Sequence, residues 1–258
     1  MTEDDVETKG QIPTNLRLLL LLEEVAQAGV PVAPAALCDH LGLPKPTVHR
    51  LLQTAEAEGF LQRDVDGRSY GPGRRMRRLS VNTLSSQRIR TERLRIMRTL
   101  AEEVGETCNL AAPDRDGMVY LDRVETHWPL RIQLPVGTQV PFNCTASGKV
   151  YLASLRSDKL DRLLASTNLE KSTEQSLNDP KALKQEIAKT RAQGYSTDDE
   201  EFMAGMAAIA VPIYDDRKRL LSTLSIHAPI QRHDLEGLKQ NLPQLHDAAL
   251  KLAKLVSD

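Results

Sequence analysis

The chain has 258 residues, of which 40% are apolar, and this length favours two domains that each bury a core. The apolar content excludes a disordered chain, and a mean hydropathy of −0.38 excludes an integral membrane protein. The longest apolar run near the N-terminus, residues 18–22, is far short of the roughly 20 residues that span a bilayer.

Three cysteines at long spacings, with no CxxC motif, predict a reducing compartment without disulfides or a zinc cluster. The first ten residues are acidic and polar, so no secretory signal is expected. The histidines are scattered, and none stands at metal-ligand spacing from a cysteine or a carboxylate. We therefore expect a cytoplasmic protein that uses no metal or cofactor and does not act at a membrane.

Charge is unevenly distributed along the chain. The formal total is −1, from 34 basic and 35 acidic residues, yet residues 63–98 contain eleven arginines and only three acidic residues. Salt screens charges that lie more than about 8 Å apart, so this local excess determines the field near a phosphate backbone. Charge alone leaves two interpretations open, a solvated arginine-rich helix and a DNA-binding segment.

Three short helices are predicted within the first sixty residues. The first covers residues 15–29 and the second residues 34–42, with a proline where the second begins and a glycine where each ends. A third is predicted for residues 44–59. A short turn that contains Gly42 joins the second helix to the third, which is the helix-turn-helix pattern.

The third predicted helix has one apolar and one polar face. Four apolar residues repeat at helical spacing, so this side packs on the first two helices. They are Val48, Leu51, Leu52 and Ala55. The opposite face would enter the major groove of DNA, where Arg50 can bind a guanine bidentately. The start of the helix favours phosphate, because its backbone N–H groups are exposed there. The candidate DNA contacts on this helix are Lys45, Thr47, His49, Arg50 and Gln53.

A β-hairpin is predicted directly after this helix, because two short extended runs flank the Asp66-Gly67 turn. A helix-turn-helix followed at once by a hairpin is a winged helix. The wing would carry Arg63, Arg68 and Tyr70 towards the adjacent groove or backbone, and Arg68 and Tyr70 are its candidate DNA contacts. Residues 74–104 then contain no glycine or proline, which predicts one long connecting helix or a helix with a soft break.

From about residue 105 short apolar runs alternate with helical segments. Strands are predicted for residues 118–125, 129–136, 206–214 and 220–229, and helices for residues 145–155, 157–166, 179–194 and 235–257. The order lacks a regular β-α-β alternation, so an α+β domain with an antiparallel sheet is expected. The segment CTASGK is not a phosphate loop, because that motif needs glycine at Asn143 and Ser or Thr at Val150.

Several stretches resemble the IclR-type bacterial transcriptional regulators. They are GLPKPTVHRLLQTAEAEGFLQRD in the first half, then VPFNCTASGKVYLASL and GYSTDDEEFMAGMAAIAVPIYDDRKRLLSTLSIHAP in the second. The resemblance extends from about residue 16 to the end of the chain. Pro46 stands where the family usually has a hydroxyl residue that can contact phosphate or cap the helix, and proline can do neither.

The resemblance implies four segments: a disordered acidic leader (1–12), a winged helix-turn-helix domain (13–72), a linker helix (73–98) and a GAF-like effector-binding domain (99–258). It implies a homodimer or homotetramer that represses or activates from a pseudo-palindromic operator in double-stranded DNA. It also implies an effector that is a small organic acid.

The resemblance further implies where this acid would bind. The backbone N–H groups of Ala146 and Ser147 would hold its carboxylate, because a helix begins there. Asp198, Ala208, Ser225 and His227 would line the rest of the pocket, and Trp128, Ile132 and Val140 would form an apolar wall.

Two of these positions depart from the family pattern. Ala208 stands where some members have cysteine, and His227 stands where a second serine would face the ligand. Because histidine can carry a proton, we expect an effector with an extra acceptor or a second acidic group; alternatively, His227 points away from the ligand or packs beside the aspartates. For Trp128 the alternative to a place in this wall is a place in the core, which is where a single tryptophan is more often found.

Two alternative functions remain open from the sequence. One is an enzyme acting on a small carboxylic acid, with the N-terminal helices as an interaction module; it could use only Cys144, Asp198 and His227. The other is a structural DNA-bound dimer whose C-terminal domain has lost its ligand. We favour the ligand-responsive regulator, with no catalytic residues.

Overall fold

The computed structural model describes residues 12–84, 87–167 and 169–257. The chain divides into two compact units, Met1–Thr83 and Leu84–Asp258. The acidic leader predicted for residues 1–12 lies outside the described residues, except for its last position.

The N-terminal unit contains the three predicted helices followed by the predicted hairpin. Its elements are α1 Arg17–Ala28, α2 Pro34–Leu41, α3 Lys45–Ala57, β1 Leu61–Arg63, β2 Tyr70–Pro72 and α4 Arg74–Leu84. Gly29 and Gly42 follow α1 and α2 with φ angles of 64° and 60°, which favour glycine and end each helix. The core of this unit includes Leu21, Val25, Leu37, Val48, Leu52, Ala55, Leu61 and Tyr70.

The C-terminal unit has the α+β architecture expected from the sequence. Its elements are α5 Gln87–Val104, β3 Thr107–Pro113, β4 Met118–Val124, β5 Gln139–Val140, α6 Ala146–Ser154, α7 Ser157–Ser166, α8 Pro180–Gln193, β6 Ser196–Asp199, β7 Met206–Tyr214, β8 Leu220–Pro229, α9 Leu235–Lys239 and α10 Leu242–Ser257. The strands form one antiparallel sheet in the order β5-β4-β3-β8-β7-β6.

The two faces of this sheet carry different helices. Strand β7 shows the division, because successive side chains point to opposite faces. Ile213 lies on the face where Arg93 of α5 and Leu252 of α10 are found. Ala208 lies on the other face, in a cluster with Ala146 and Val150 of α6. The small side chains on this second face allow α6 to approach the sheet closely.

The linker helix predicted for residues 73–98 is divided between the two units. Helix α4 belongs to the N-terminal unit, apart from its last residue, and α5 belongs to the C-terminal unit. The reason is burial, because Met97 and Leu100 of α5 are buried and α5 packs against α10 and β4. The second half of the predicted linker is therefore part of the C-terminal core.

The strand predicted for residues 129–136 is wrong. This described segment forms a loop between β4 and β5, and its apolar side chains Leu130 and Val136 are exposed. Pro129 and Pro135 have no N–H group to donate to a neighbouring strand, so the segment is poorly suited to the middle of a sheet.

Candidate functional sites

Helix α3 presents its predicted polar face at the surface of the N-terminal unit. Lys45, His49, Arg50 and Gln53 are exposed and Thr47 is half-buried. The backbone N–H of Thr47 donates to the carbonyl of Pro44 (2.9 Å), so at this position only the side-chain hydroxyl remains to meet a phosphate. On the opposite side Val48, Leu52 and Ala55 are buried as predicted. Leu51, predicted on the same side, is half-buried and packs against this core.

The turn of the wing is held by a side chain. The Asp66 carboxylate accepts backbone N–H groups from Arg68 and Ser69, both at 2.8 Å, and the Ser69 hydroxyl at 2.7 Å. These hydrogen bonds stabilise the ionised form and lower the pKa of Asp66 to about 2. Gly67 takes the positive φ angle that the turn needs. Arg68 is exposed beside this ordered turn, so it is available to DNA.

Tyr70 does not belong to the exposed surface of the wing, contrary to the prediction. Its residue is only 3% exposed, because it forms an isolated β-bridge with Val32 and packs in the N-terminal core. The guanidinium carbon of Arg63 lies 5.0 Å from the centroid of the Tyr70 ring. The Nε atom of Arg63 is 2.9 Å from a carboxylate oxygen of Glu56. Tyr70 therefore packs beneath the wing, and the prediction that it contacts DNA is wrong.

The arginine-rich segment serves two different purposes. In the N-terminal unit, Arg68, Arg74 and Arg78 are exposed. In the C-terminal unit, Arg90 and Arg93 bind the buried carboxylate of Asp122, with Nε–oxygen distances of 3.0 and 2.6 Å. Because Arg93 is itself buried, part of the local charge excess belongs to the core of the C-terminal unit.

The start of α6 has the geometry of an anion site. Thr145 caps the helix by accepting the N–H of Gly148 (3.0 Å). Ser147, the second residue of α6, has a buried side chain, and its hydroxyl has no hydrogen-bond partner among the described residues. A helix N-terminus favours negative charge, and the unpaired hydroxyl adds a donor at the same place.

The sheet brings four of the predicted effector residues together. Asp198 of β6 pairs in register with Ala208 of β7, and Ala208 pairs with His227 of β8. Ser225 lies two residues from His227, so it shares the same face, and its hydroxyl is 3.0 Å from the Nε2 atom of His227. Since Ala208 belongs to the same cluster as Ala146 of α6, all four residues lie on the face that α6 covers.

Burial controls the charges at this site. Desolvation, followed by the negative charge of Glu201, raises the pKa of Asp198 to about 7, although Lys149 and two backbone N–H groups act in the opposite direction. Desolvation, with a smaller contribution from the charge of Arg123, lowers the pKa of His227 to about 3. His227 is therefore neutral at neutral pH, which removes the reason to expect a second acidic group on the effector.

The predicted apolar wall is only partly buried. Ile132 and Val140 are buried, and Val140 packs in the cluster that contains Tyr120 and Phe142. Trp128 is 53% exposed, with the Arg232 guanidinium 5.4 Å from its ring centroid. Its loop carries it to the surface of the C-terminal unit, so Trp128 is withdrawn both as a pocket residue and as a core residue.

Three polar residues of this region were not predicted from the sequence. Lys149 of α6 is fully buried and paired with Glu201, and Asn109 of β3 is fully buried on the sheet. A lysine in an otherwise apolar helix and an asparagine in an apolar run are the signals that could have identified them, because buried polar groups need partners.

Of the groups considered for catalysis, the Cys144 thiol is poorly suited to act as a nucleophile. Burial raises the pKa of the Cys144 thiol to about 11, so little nucleophilic thiolate exists at neutral pH.

Within the described residues, no three His, Cys, Asp or Glu side chains are grouped as a metal site requires. No helix in the described part of the chain is both long and apolar enough to cross a membrane.

A winged helix with an exposed polar α3, joined to an α+β unit with a buried polar site, defines a DNA-binding regulator with a separate small-molecule domain. The family model described as "IclR helix-turn-helix domain" matches residues 16–65. The model described as "Bacterial transcriptional regulator IclR C-terminal" matches residues 81–254. The chain therefore belongs to the IclR family of transcriptional regulators.

Individual relatives support this assignment along the chain. The probable transcriptional regulator SauR of Cupriavidus necator is 37% identical, over 93% of this chain and 95% of SauR. The transcriptional repressor IclR of Escherichia coli is 33% identical, over 86% of this chain and 82% of that protein. The crystal structure of an IclR homolog complexed with 4-hydroxybenzoate, from Microbacterium hydrocarbonoxydans, shares the fold with a TM-score of 0.60 at 22% identity, over 95% and 99% of the two chains.

These findings identify the general function. The chain is a transcriptional regulator whose helix-turn-helix domain binds DNA, and its C-terminal unit is the IclR effector domain. The relatives are named as regulators, so the enzyme alternative is not supported.

Proposed function

We propose that this regulator acts in the cytoplasm as a homodimer or homotetramer on a pseudo-palindromic operator, and that a small organic acid modulates its binding. The exposed polar face of α3 is the observation that carries the DNA half of the proposal. A single winged helix buries little DNA surface, so two copies on half-sites about one helical turn apart give a much higher affinity.

The DNA contacts we propose are Lys45, Thr47, His49, Arg50, Gln53 and Arg68. Arg50 has the largest role in sequence readout, because its guanidinium can bind both acceptors of a guanine edge. Arg50→Ala should weaken operator binding by about 1–3 kcal/mol and reduce the preference for the operator over a scrambled duplex. Fluorescence anisotropy with a duplex from the region upstream of the gene, and with its scrambled version, measures both quantities.

Arg78→Ala is the matched control for this substitution. Arg78 is exposed on α4, and we expect it to contact the DNA backbone. Its loss should weaken both duplexes alike and reduce the slope of affinity against salt by about one. Equal weakening of both duplexes by Arg50→Ala would show that α3 does not read bases through this residue.

The effector half of the proposal rests on the N-terminus of α6. We propose that the N–H groups of Ala146 and Ser147, with the unpaired Ser147 hydroxyl, bind a carboxylate. Asp198, Ala208, Ser225 and His227 would surround the rest of the acid, with Ile132 and Val140 at its apolar side. The relative crystallised with 4-hydroxybenzoate supports a ligand of this class.

A thermal-shift screen of the full-length protein tests this proposal. Aliphatic and aromatic monocarboxylates, keto acids and dicarboxylates form the panel, and each acid that stabilises the protein is added to the operator-binding assay. We expect at least one acid to change operator affinity and Ser147→Ala to weaken its binding. A panel without any stabilising acid would favour the structural dimer that has lost its ligand.

Effector binding should also depend on pH. Asp198 lies close enough to Cys144, just before α6, for its charge to raise the pKa of that thiol. A carboxylate bound at α6 would therefore raise the pKa of Asp198 above its value of about 7, and binding would take up a proton. Below pH 6 Asp198 is protonated in both states and affinity is flat; above pH 7 affinity should fall by up to tenfold per pH unit.

Isothermal titration calorimetry between pH 6 and pH 8.5 measures this dependence. Asp198→Asn should abolish it, because the amide does not titrate. Asp199→Asn is the control, since Asp199 is the exposed neighbour of Asp198 and should leave the profile unchanged. An unaltered pH profile in Asp198→Asn would assign the proton to another group.

A further inference from the structure

We propose that Asn109 determines effector specificity by donating a side-chain hydrogen bond to an uncharged acceptor at the end of the effector remote from its carboxylate. This inference rests on the proposed carboxylate site at α6 and adds a second recognition point to it. The effector class it defines is a small carboxylic acid with a carbonyl or similar acceptor group.

The register of the sheet places Asn109 on the effector face. Asn109 of β3 pairs with Ser225 of β8, and Ser225 pairs with Ala210 of β7. Ala210 packs in the same cluster as Ala146 of α6. Directly paired residues point to one side of a sheet, so Asn109 lies in the row that leads from Ser225 to the underside of α6.

The side-chain amide of Asn109 has a fixed orientation and an unused donor. Arg123 Nη1 donates to Asn109 Oδ1 at 2.9 Å, which assigns the other terminal atom as the NH2 group. That Nδ2 atom is buried and has no hydrogen-bond partner among the residues that the structure describes, and Asn109 itself is 0% exposed. Buried donors are normally paired, so an acceptor from a bound molecule is the partner that this amide lacks.

The neighbouring groups favour an uncharged acceptor. All three nitrogen atoms of the Arg123 guanidinium already donate a hydrogen bond. Nε donates to Glu125 at 3.1 Å, Nη1 donates to Asn109, and Nη2 donates to the carbonyl of Ile132. Ser225 and His227 bind each other, and His227 is neutral. A second carboxylate would need a positively charged partner here, but the Arg123 guanidinium is already hydrogen-bonded and His227 is uncharged. A carbonyl oxygen needs only the Asn109 N–H.

The sheet gives the scale of the effector. Asn109 of β3 and Ala210 of β7 lie two strand spacings apart, about 10 Å, so the acceptor stands several bonds away from the carboxylate. Two pairs of probe acids have this arrangement: hexanoate with 5-oxohexanoate, and benzoate with 4-formylbenzoate. Within each pair, only the second acid has the acceptor.

The experiment measures the ratio of affinities within each pair by calorimetry on the full-length protein. In at least one pair, the wild type should bind the carbonyl acid about tenfold more tightly than its parent. Asn109→Ala should remove this preference. Asn109→Asp keeps a partner for Arg123 but replaces the donor with an acceptor, so the carbonyl acid should then bind more weakly than its parent.

Thr190→Val provides the matched control, because Thr190 of α8 also has a buried hydroxyl without a partner in the described part of the chain. It should leave the ratio unchanged. If the acids bind in a Ser147-dependent manner but both Asn109 variants keep the wild-type ratio, the inference is overturned and the carboxylate site stands. If none of the four acids binds the wild type, the inference is again overturned; the carboxylate site fails only if the wider panel also gives no stabilising acid.

Discussion

Asp122→Ala should destabilise the C-terminal unit by about 3–5 kcal/mol, because it leaves a buried arginine without its counterion. Asp122 is 0% exposed, and both Arg90 and Arg93 bind its carboxylate. The Arg93 side chain is only 6% exposed, so water cannot replace the lost acceptor. Urea unfolding followed by the fluorescence of Trp128 measures the loss, since this single tryptophan lies in the C-terminal unit.

Glu92→Ala is the matched control on the same helix. Glu92 pairs with Arg95 on α5, but the two side chains are 46% and 68% exposed, so its removal should cost less than about 1 kcal/mol. A double substitution, Asp122→Leu with Arg93→Met, should recover part of the stability, because no buried charge is left without a partner and Arg90 is half exposed to water. Equal costs for Asp122→Ala and Glu92→Ala would contradict a structural role for the buried pair.

This pair explains why the arginine-rich segment could be only partly interpreted from the sequence. Local composition gives the number of charges but not their partners, and Asp122 lies 29 residues beyond Arg93. Only the folded C-terminal unit brings the two together. Arg74 and Arg78, which are exposed on α4, remain candidates for the DNA backbone, whereas Arg93 is a core residue.

The N-terminal fold could be predicted in detail because its signals are local. The spacing of Val48, Leu52 and Ala55 defines the buried side of α3, and the Asp66-Gly67 turn defines the hairpin. Tyr70 was assigned incorrectly because its burial depends on Val32, which is distant in sequence and meets it only in an isolated bridge. The sequence of a hairpin with two strands of three residues each is too short to show which of its faces is buried.

The C-terminal site was harder to predict because it depends on strand register. The sequence supplied Asp198, Ala208, Ser225 and His227 through a family resemblance, and the sheet places them on one face. Their charges follow from burial instead. The neutral state of His227, in particular, requires knowledge of the packing around it, which no spacing rule provides.

The near-match to a phosphate loop at CTASGK has a structural explanation. A Cβ atom at Gly148 would lie 2.3 Å from the carbonyl oxygen of Phe142, so only glycine fits where α6 crosses that backbone. Lys149 points into the C-terminal unit and binds Glu201. The backbone N–H of Glu201 also donates a hydrogen bond to the carboxylate of Asp198. The glycine and lysine thus position α6 and Asp198, and no nucleotide is required to explain them.

Lys149→Met should therefore destabilise the C-terminal unit by about 3–5 kcal/mol at pH 8, because Glu201 is left as a buried carboxylate beside Asp198. Burial already raises the pKa of Glu201, and Lys149 opposes this shift, so the substitution raises the pKa further. The folded variant then holds protons that the unfolded chain releases above about pH 4.5. Its stability consequently falls as pH rises, and the deficit relative to the wild type should be small at pH 5.

A double-mutant cycle with Glu201→Gln, followed by urea unfolding at pH 5 and pH 8, measures the coupling. The double variant should regain much of the stability at pH 8, since neither charge remains, and should lose most of the pH dependence. Lys251→Met is the control, because Lys251 and Asp247 form an exposed pair on α10 that should contribute less than about 1 kcal/mol. If Lys149→Met cost no more than this control, the buried pair of Lys149 and Glu201 would not be what positions the turn that holds Asp198.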